Sequence, residues 1–472
     1  MVLKKSVNDT QYPLANADLS GVSALTTNSY HWRVKIANVS NNLQSKTGTF
    51  FLVAMPSGGS GSAGGLYVNT ASSSSVEIGS KEKPYKRIQA AIANADALRN
   101  YQFGVTMDIY VAQGSYTEEV ILSPGISVRG GYEATNWTRN TATNTTTINA
   151  PLTFAVRGST SITTTYTNTT WLEGFTLRGA TRSTSYLLMA TVDLQGTSPT
   201  IAYNTIVAGT SSGSPTQQNM SALDAGTDSP VILGNVIIAA ETNCGGCNYV
   251  HAINTAGSTI IVNNLISGGA QSSSVARGIT LGSASTALVL NNTIEGAAVN
   301  NTNAGAIYME NTAHPTIRNN VVFTKQNAPL CIRAETAARP TALQNNNIFG
   351  CTNLYYDGST NATAANFASQ AVNMTAGSGT LQSYGNVNID DNAGQLFVDY
   401  DGADNKASTV ADNNLRLTTN AAICNVRGGG LNLGSNTTID KDSITRTITT
   451  IAGCTTTNTG ATNWSIGAFE RD

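Results

Sequence analysis

A short strand-like pattern recurs six times in the middle of this 472-residue chain, at intervals of 26 to 31 residues. Each copy has a run of mostly apolar residues, an asparagine and then a further strand-forming pair. The copies read TIAYNTI, VILGNVI, IIVNNLI, LVLNNTI, TIRNNVV and ALQNNNI. A fixed period of this length with one strand signature per unit predicts an all-β solenoid whose coils stack directly on one another.

The asparagine in each copy gives the repeat a chemical reason. At a tight bend, asparagine tolerates the left-handed backbone conformation. When it is stacked on identical neighbours, its amide can donate to one neighbour and accept from the other. The sequence therefore predicts a buried structural ladder made of Asn204, Asn235, Asn264, Asn292, Asn320 and Asn346.

A second strand precedes each ladder asparagine in the same coil. Its inward residues are expected to be Val192, Leu223, Ile253, Ile279, Ile307 and Ile332. Because side chains alternate along a strand, the next residue of each coil should point outward, and coils about 4.8 Å apart should align these residues on one face. That predicted row is Asp193, Asp224, Asn254, Thr280, Tyr308 and Arg333.

The composition narrows the classes of partner. Charged residues make up 11% of the chain, and 26 basic against 28 acidic side chains leave a net charge of −2. No basic stripe occurs in the sequence, which argues against a nucleic-acid partner. No run of about 18 apolar residues occurs, so we expect no membrane span. Met1–Pro13 lacks the apolar segment of a signal peptide, and we expect the natural chain to extend upstream.

The ends of the chain differ from its middle. Residues 1–57 alternate like two antiparallel strands around a turn at SNN, and residues 58–65 are a Gly/Ser linker. The main domain is expected at 66–385, with a loop-rich C-terminal cap at 386–472. Near its start, apolar residues recur at helical spacing and predict a short helix that covers the first coil; these are Ile88, Ala91, Ile92 and Ala95.

The six cysteines leave several arrangements open. Cys331 and Cys351 lie within one coil, and Cys424 and Cys454 both lie in the C-terminal region, where they could pair. Cys244 and Cys247, followed by His251, are similar to three ligands of a zinc site but lack a fourth. Loop disulfides or free thiols are the expected alternatives to metal binding.

Three stretches of the main domain resemble a known superfamily. GSKEKPYKRIQAAI, IYVAQGSYTEEVIL and GISVRGGYEATNW resemble the start of bacterial secreted proteins with a right-handed parallel β-helix, the pectate-lyase-like superfamily. Within it, the chain looks most like surface proteins that carry the domain of unknown function 1565. The closing segment ADNNLRLTTNAAICNVRGG to IGAFE resembles the end of such proteins, and residues 1–57 resemble the end of a fibronectin-type-III-like module.

This resemblance implies an N-terminal capping helix, a C-terminal cap and an extracellular or cell-surface location. It does not bring an activity with it, since fold alone does not imply function. The successive acidic motifs of polygalacturonases, the motifs of pectin methylesterases and the aspartate cluster of calcium-dependent pectate lyases are absent from this sequence. The sequence therefore favours a protein without catalytic activity.

Acidic side chains provide weak alternatives to that interpretation. Asp193 and Asp224 are expected on neighbouring coils, where two carboxylates about 5 Å apart would suit a retaining glycosidase or a calcium ion. The more ordinary expectation is that both are solvated surface residues. Asp399, Asp401 and Asp404 resemble part of a calcium loop but lack its distal glutamate. We expect no cofactor, with Ca²⁺ as the alternative.

Three functions remain open at this point. The first is a non-catalytic surface protein that binds a polysaccharide or a cell-surface glycan through Asn254, Thr280, Tyr308 and Arg333. The second is a polysaccharide lyase or glycoside hydrolase, and the third is a structural stalk or filament subunit that self-assembles. We favour the first, because aligned strand residues form a rigid face that binds an extended polymer at low entropic cost.

Overall fold

The computed structural model describes part of the chain. The described residues are 29–33, 47–51, 62–101, 106–159, 168–182, 188–194, 196–211, 218–239, 247–269, 275–297, 303–324, 329–358, 361–365, 375–376, 379–380, 382–391, 395–400, 414–434, 439–442, 444–446, 461–462 and 464–469.

Three long sheets built from parallel strands run the length of the described main domain, with eleven, nine and ten strands. Each regular coil contributes one strand to sheet 3, then one to sheet 1 and, after a bend, one to sheet 2. Sheet 1 consists of Ser62–Val68, Thr106–Ala112, Ile126–Tyr132, Trp171–Glu173, Thr200–Ala202, Val231–Leu233, Ile260–Val262, Leu288–Leu290, Thr316–Arg318, Ala342–Gln344 and Gln382–Tyr384. The fold is thus the predicted parallel β-helix.

The other two sheets follow the same order. Sheet 2 consists of Gly114–Thr117, Thr146–Asn149, Thr176–Arg178, Thr205–Val207, Val236–Ile238, Leu265–Ser267, Thr293–Glu295, Val321–Phe323 and Asn347–Phe349. Sheet 3 consists of Val120–Ile121, Val156–Arg157, Leu188–Asp193, Gln218–Gly226, Cys247–Thr255, Val275–Leu281, Gly305–Met309, Leu330–Ala334, Asn353–Tyr356 and Asn361–Ala362. Only the last strand of sheet 3, within the described residues, pairs antiparallel to its neighbour.

Four shorter strand pairs lie outside these sheets in the described residues. They are Ser29–Arg33 with Thr47–Phe51, Thr181–Arg182 with Thr210–Ser211, Thr375–Ala376 with Gly379–Thr380, and Phe397–Asp399 with Asn414–Leu417. The first pair is antiparallel, as the alternation in residues 1–57 predicts. The prediction that residues 62–65 belong to a linker, which rested on their Gly/Ser composition, was wrong, because they lie in the first strand of sheet 1. The other domain boundaries stay predictions.

The helix Ile88–Tyr101 (α1) covers the first coil. Its predicted apolar face, Ile88, Ala91, Ile92 and Ala95, is buried in the same core as Leu66 and Ile109. The Glu118 carboxylate accepts hydrogen bonds from the backbone N–H groups of Ile88 and Gln89 at 2.8 and 3.0 Å. A carboxylate at this end satisfies free helix donors and complements the helix dipole. The remaining described helices are the 3₁₀ turn Ala421–Ile423 and Cys424–Arg427 (α2).

The ladder asparagines lie buried at the bend between sheets 1 and 2. From Asn235 onward, the Oδ1 atom of each ladder asparagine accepts both the backbone N–H and the side-chain amide of the asparagine on the preceding coil. For Asn292 and Asn264 these distances are 2.9 and 3.0 Å. The Nδ2 of Asn292 also donates to the carbonyl of Ile261 at 2.9 Å. The Oδ1 of Asn204, the first rung, accepts the backbone N–H of Phe175. Asn386 adds a rung that the sequence pattern did not include.

One detail of the predicted bend was wrong. The left-handed residue of each coil is the one before the ladder asparagine, as in Asn263, Asn291, Asn319 and Asn345 with φ between 49° and 56°. Each bend therefore uses two adjacent residues for two tasks. The first turns the backbone, and the second hydrogen-bonds to the neighbouring coils.

The C-terminal cap differs from the prediction that it folds over the last coil. It lies along the outer face of sheet 2, where Phe397, Tyr400 and Ile466 pack against Val207, Ile238, Leu265, Val321, Phe323 and Phe349. Its backbone carbonyls also accept hydrogen bonds from the left-handed asparagines; Asn345 bonds to Gly429, Asn319 to Leu431 and Asn263 to Ile439. The cap therefore runs back along the bend towards the N-terminal coils.

Disulfides account for the cysteines that the structure describes. Cys331 and Cys351 are joined to each other, and Cys247 and Cys424 are also disulfide-bonded. Cys244 and Cys454 lie outside the described residues. In the described part of the chain, every helix is too short or too polar to cross a bilayer.

Candidate functional site

The predicted row of outward residues is aligned across sheet 3. The strand register pairs Asp193 with Asp224 and Asp224 with Asn254. It continues from Asn254 to Thr280, then to Tyr308 and Arg333. We call Asp193, Asp224, Asn254, Thr280, Tyr308 and Arg333 the sheet 3 row. Arg157 precedes the row and Tyr356 follows it in the same register.

The expected exposure of this row was wrong. The exposed fractions of Asp193, Asp224, Thr280 and Tyr308 are 3%, 6%, 1% and 4%, and only Asn254 and Arg333 are partly exposed. Strand alternation determines on which side of a sheet a side chain lies, but it does not determine what covers that side. The two aspartates are therefore not solvated surface residues.

A second row lies beside the first on the same face. The register aligns Ser221, His251, Arg277 and Gly305 on successive coils, and the first three are buried. We call the two rows together the sheet 3 face. Sequence reasoning missed His251 and Arg277 as residues of this face.

A break in strand alternation explains that omission. Counting in steps of two from Asn254 points to Ala252 and Val250, but both of these residues belong to the hydrophobic core. Ala252 and Ile253 are consecutive core residues, so the alternation shifts once and His251 lies outward. The sequence did contain a signal for the outward position of both missed residues, because a histidine or an arginine in an otherwise apolar strand rarely enters a core unpaired.

His251 is neutral in this setting. Burial, with a smaller effect from the nearby Arg277 guanidinium, lowers the pKa of its imidazole to about 3. Its Nδ1 lies 2.6 Å from the Thr280 hydroxyl oxygen, and its ring stacks on Tyr249 with centroids 6.1 Å apart. Nε2 has no hydrogen-bond partner among the described residues. The open Nε2 of a neutral imidazole can donate one hydrogen bond to a ligand or accept one from it, depending on the tautomer.

Arg277 is held between two tyrosines. Its guanidinium carbon lies 3.4 Å from the ring centroid of Tyr308 and 4.9 Å from that of Tyr249. Nε donates to the carbonyl of Asn303 at 2.9 Å, and a terminal nitrogen donates to Glu310 at 3.4 Å. Cation–π contacts are strongest where both groups are removed from water, so Arg277 fixes the orientation of both rings.

The row residues Tyr308 and Thr280 have partners within the protein. The Tyr308 hydroxyl donates to Glu335 at 2.8 Å. Burial and this carboxylate raise the pKa of Tyr308 to about 12, so its hydroxyl stays protonated. The Thr280 hydroxyl contacts His251. Thr280 and Tyr308, which the sequence suggested as ligand contacts, are therefore both occupied by partners within the protein. Arg333, which donates to Asn303 at 2.6 Å, and Asn254 remain accessible.

Asp224 is held as a hydrogen-bond acceptor. One carboxylate oxygen accepts the backbone N–H of Gly226 at 2.9 Å, and the other accepts the Asn254 amide at 3.2 Å. Burial raises the pKa of Asp224, although these two hydrogen bonds oppose the shift. A carboxyl group of this kind can hold a proton where a solvated aspartate would not.

Metal binding finds no support in the described residues. They contain no cluster of three or more histidine, cysteine, aspartate or glutamate side chains that could hold an ion. Asp399 is exposed on the cap, while Asp401 and Asp404 lie outside the described residues. His251 contacts Thr280, and Cys247 is in a disulfide, so the zinc-like spacing does not form a site.

Comparison with known proteins adds the family. No curated protein sequence matches the chain. Among solved structures, the A-module of mannuronan C-5 epimerase AlgE6 from Azotobacter vinelandii is similar at 12% identity and a TM-score of 0.24, over 64% of this chain and 94% of that one. Residues 71–307, half of the chain, match the family described as "Protein of unknown function (DUF1565)", and the chain therefore belongs to this family.

Proposed function

We propose that this protein acts outside the cell and binds an extended polysaccharide along the sheet 3 face. The observation that carries the proposal is the alignment of different polar and aromatic side chains on one rigid sheet, at a spacing of about 4.8 Å per coil. Tyr249, Asn254, Arg333 and Tyr356 are partly exposed on or beside this face. Together they offer amide, guanidinium and phenol groups to a hydroxyl-rich ligand.

Three further observations agree with this proposal. The Cys331–Cys351 disulfide and the bonded state of Cys247 and Cys424 suit an oxidising, extracellular compartment. The family match and the strand pair Ser29–Arg33 with Thr47–Phe51 suit a secreted bacterial protein in which the β-helix follows a fibronectin-type-III-like module. A net charge of −2 suits a neutral glycan better than nucleic acid.

The test compares two double variants of matched composition. Arg333→Ala with Tyr356→Ala alters the sheet 3 face. Arg318→Ala with Tyr384→Ala removes the same two residue types from sheet 1, where they are also partly exposed. On a glycan array followed by calorimetry, the first pair should weaken binding about tenfold and the second should not. Equal losses in both variants would place the glycan elsewhere on the molecule.

The binding should depend little on salt. Few full charges are exposed on this face, so screening by added salt changes the affinity only slightly. A steep loss of affinity between low and moderate salt would instead indicate a polyanionic ligand and would contradict a largely uncharged glycan.

A second candidate function is cleavage of a polysaccharide by a lyase or hydrolase. The observation that favours it is the contrast between His251, whose lowered pKa keeps it neutral, and Asp224, whose pKa is raised. Groups whose pKa values are pushed in opposite directions often serve as base and acid. A screen on uronate and neutral polysaccharides tests it: cleavage that is lost in both His251→Gln and Asp224→Asn would establish catalysis at this face.

A further inference from the structure

A cavity with no lining residue from the strands of sheet 3 lies between the outer face of sheet 2 and the C-terminal cap. Its volume is about 780 Å³, and it is lined by residues from the bends of the N-terminal coils and by Arg416, Lys441 and Asp442 of the cap. Small-molecule sites usually have volumes of about 300–1,000 Å³. The cavity is therefore large enough for a sugar, and nothing in the proposed function makes use of it.

Lys441 is the unusual group in this cavity. Its side chain is only 18% exposed, and its ammonium lies 5.6 Å from the ring centroid of Phe469. The nearest carboxylate oxygen, Asp442 Oδ1, is 3.9 Å away, and the other oxygen of that carboxylate is bonded to Arg416. No acceptor in the described residues takes a hydrogen bond from this ammonium.

Burial lowers the pKa of Lys441, and the nearby Arg416 adds to this effect, although the Asp442 and Asp440 carboxylates oppose it. A largely desolvated ammonium is costly unless an anion and hydrogen bonds compensate it. The charged residues that line the cavity include more cations than anions, so an added anion is favourable there. Arg139, Arg416 and Lys441 are positive, whereas Glu173 and Asp442 are negative. Glu173 is already bonded to Arg139 at 3.0 Å and to Arg129.

The opposite wall of the cavity is rich in hydroxyl groups. Thr141, Thr176 and Thr205 line it, and their hydroxyls make no hydrogen bond to any described residue. The partly exposed Tyr203 also lines the cavity. Free hydroxyls beside an aromatic ring suit the alternating polar and apolar surfaces of a sugar.

We propose that this cavity binds a sugar that carries one carboxylate, with the Lys441 ammonium as its counterion and the threonine hydroxyls as partners for its hydroxyl groups. The site is separate from the sheet 3 face. A free sugar acid and a uronate within a polymer share this chemistry, and the experiment distinguishes them.

The experiment is calorimetric titration of the whole protein with sodium glucuronate, glucose, sodium acetate and a short oligouronate. Glucuronate should bind about tenfold more tightly than glucose or acetate, because only glucuronate engages both walls. Tighter binding of the oligouronate than of glucuronate would assign the site to a polymer, and the reverse order to a free sugar acid. Equal affinity for glucuronate and glucose, or no glucuronate binding at tens of millimolar, would overturn the proposal.

Variants locate the binding. Lys441→Gln should weaken glucuronate binding about tenfold, while the exposed Lys83→Gln should not change it. Thr205→Val retains every charge and the fold of the cap, and should weaken binding about threefold by removing one hydroxyl. Arg333→Ala should leave glucuronate binding intact, so failure at one site is distinguishable from failure at the other. Unchanged binding in both Lys441→Gln and Thr205→Val would show that the sugar binds elsewhere.

Discussion

Two buried rows of polar side chains run parallel to the axis of this β-helix, and they differ in one respect. The ladder repeats one residue type on every regular coil, and each asparagine is satisfied by the next. The sheet 3 row holds five residue types in six positions. Apart from the hydrogen bond from Asn254 to Asp224, the hydrogen bonds described for its side chains go to groups outside the row. Both rows contain residues that are almost completely buried.

The difference indicates what each row is for. Stacking coils at a fixed spacing requires one bonding pattern that repeats, and an identical asparagine at each level supplies it. Nothing in coil stacking requires aspartate, threonine and tyrosine in succession. A row whose residues change from coil to coil, at a cost in desolvation, is therefore the better candidate for recognition.

The largest effect is expected in the ladder. Asn292→Ala leaves the backbone N–H of Asn264 without its acceptor, takes away one of the acceptors of the Asn264 amide, and removes a donor from the carbonyl of Ile261. Each buried group left unsatisfied costs about 1–3 kcal/mol, so we expect a loss of about 3 kcal/mol in the free energy of unfolding. Reversible denaturant unfolding measures it.

The control for this substitution is the exposed Asn136→Ala, which should change the unfolding free energy by less than about 0.5 kcal/mol. A ladder substitution that costs no more than this control would mean that the rungs do not stabilise the coils. The contrast between the two rows would then disappear.

The next effect comes from His251 and depends on pH. Its pKa in the folded protein is about 3, against an ordinary value of about 6.5. Between these values the unfolded chain binds a proton that the folded protein does not, so stability falls as pH drops below 6.5. The slope should reach about 1.4 kcal/mol per pH unit.

His251→Gln should remove this part of the pH dependence. The measured quantity is the difference in unfolding free energy between the variant and the parent protein at several pH values from 7 to 4, which cancels the contributions of other groups, including Asp224. A difference that does not vary with pH would show that the imidazole is solvated rather than buried.

The sequence allowed the architecture to be predicted because that architecture rests on local patterns. The ladder asparagines and the inward residues of sheet 3 recur at the coil period, and the capping helix shows its own apolar spacing at Ile88, Ala91, Ile92 and Ala95. Each of these features is decided by neighbours one coil or one turn away. Even the row from Asp193 to Arg333 followed from aligning the repeats.

The parts that failed depend on contacts distant in sequence. Tyr400 bonds to Glu295 across 105 positions, and no local pattern identifies the cap as the element that covers sheet 2. A signal that some element covers sheet 2 was present in two strands that follow ladder asparagines. Val236–Ile238 and Val321–Phe323 are apolar on both faces, which predicts burial on both sides of a sheet. The buried state of Thr280 and Tyr308 had no such signal.

A smaller loss of unfolding free energy is expected from Thr280, the residue of the sheet 3 row that lies in the same coil as Asn292. Thr280→Val keeps the shape of the side chain but removes the hydroxyl that lies 2.6 Å from His251 Nδ1. One buried hydrogen bond contributes about 1 kcal/mol, so this substitution should cost about a third of what Asn292→Ala costs, measured by the same unfolding experiment. Equal losses from both substitutions would assign the sheet 3 row a structural role similar to that of the ladder.

The smallest effect on stability is expected at Asn254, which is partly exposed and donates to Asp224 at 3.2 Å. Asn254→Ala should cost about 0.5 kcal/mol, but it should raise the pKa of Asp224 further, because this hydrogen bond favours the ionised carboxylate. Carboxyl-carbon NMR across a pH titration measures that pKa directly. Asn254→Gln, which can still donate, is the control and should preserve the parent value. If the pKa of Asp224 falls in Asn254→Ala, water replaces the amide and solvates the carboxylate, so the sheet 3 row would be open to solvent at this position.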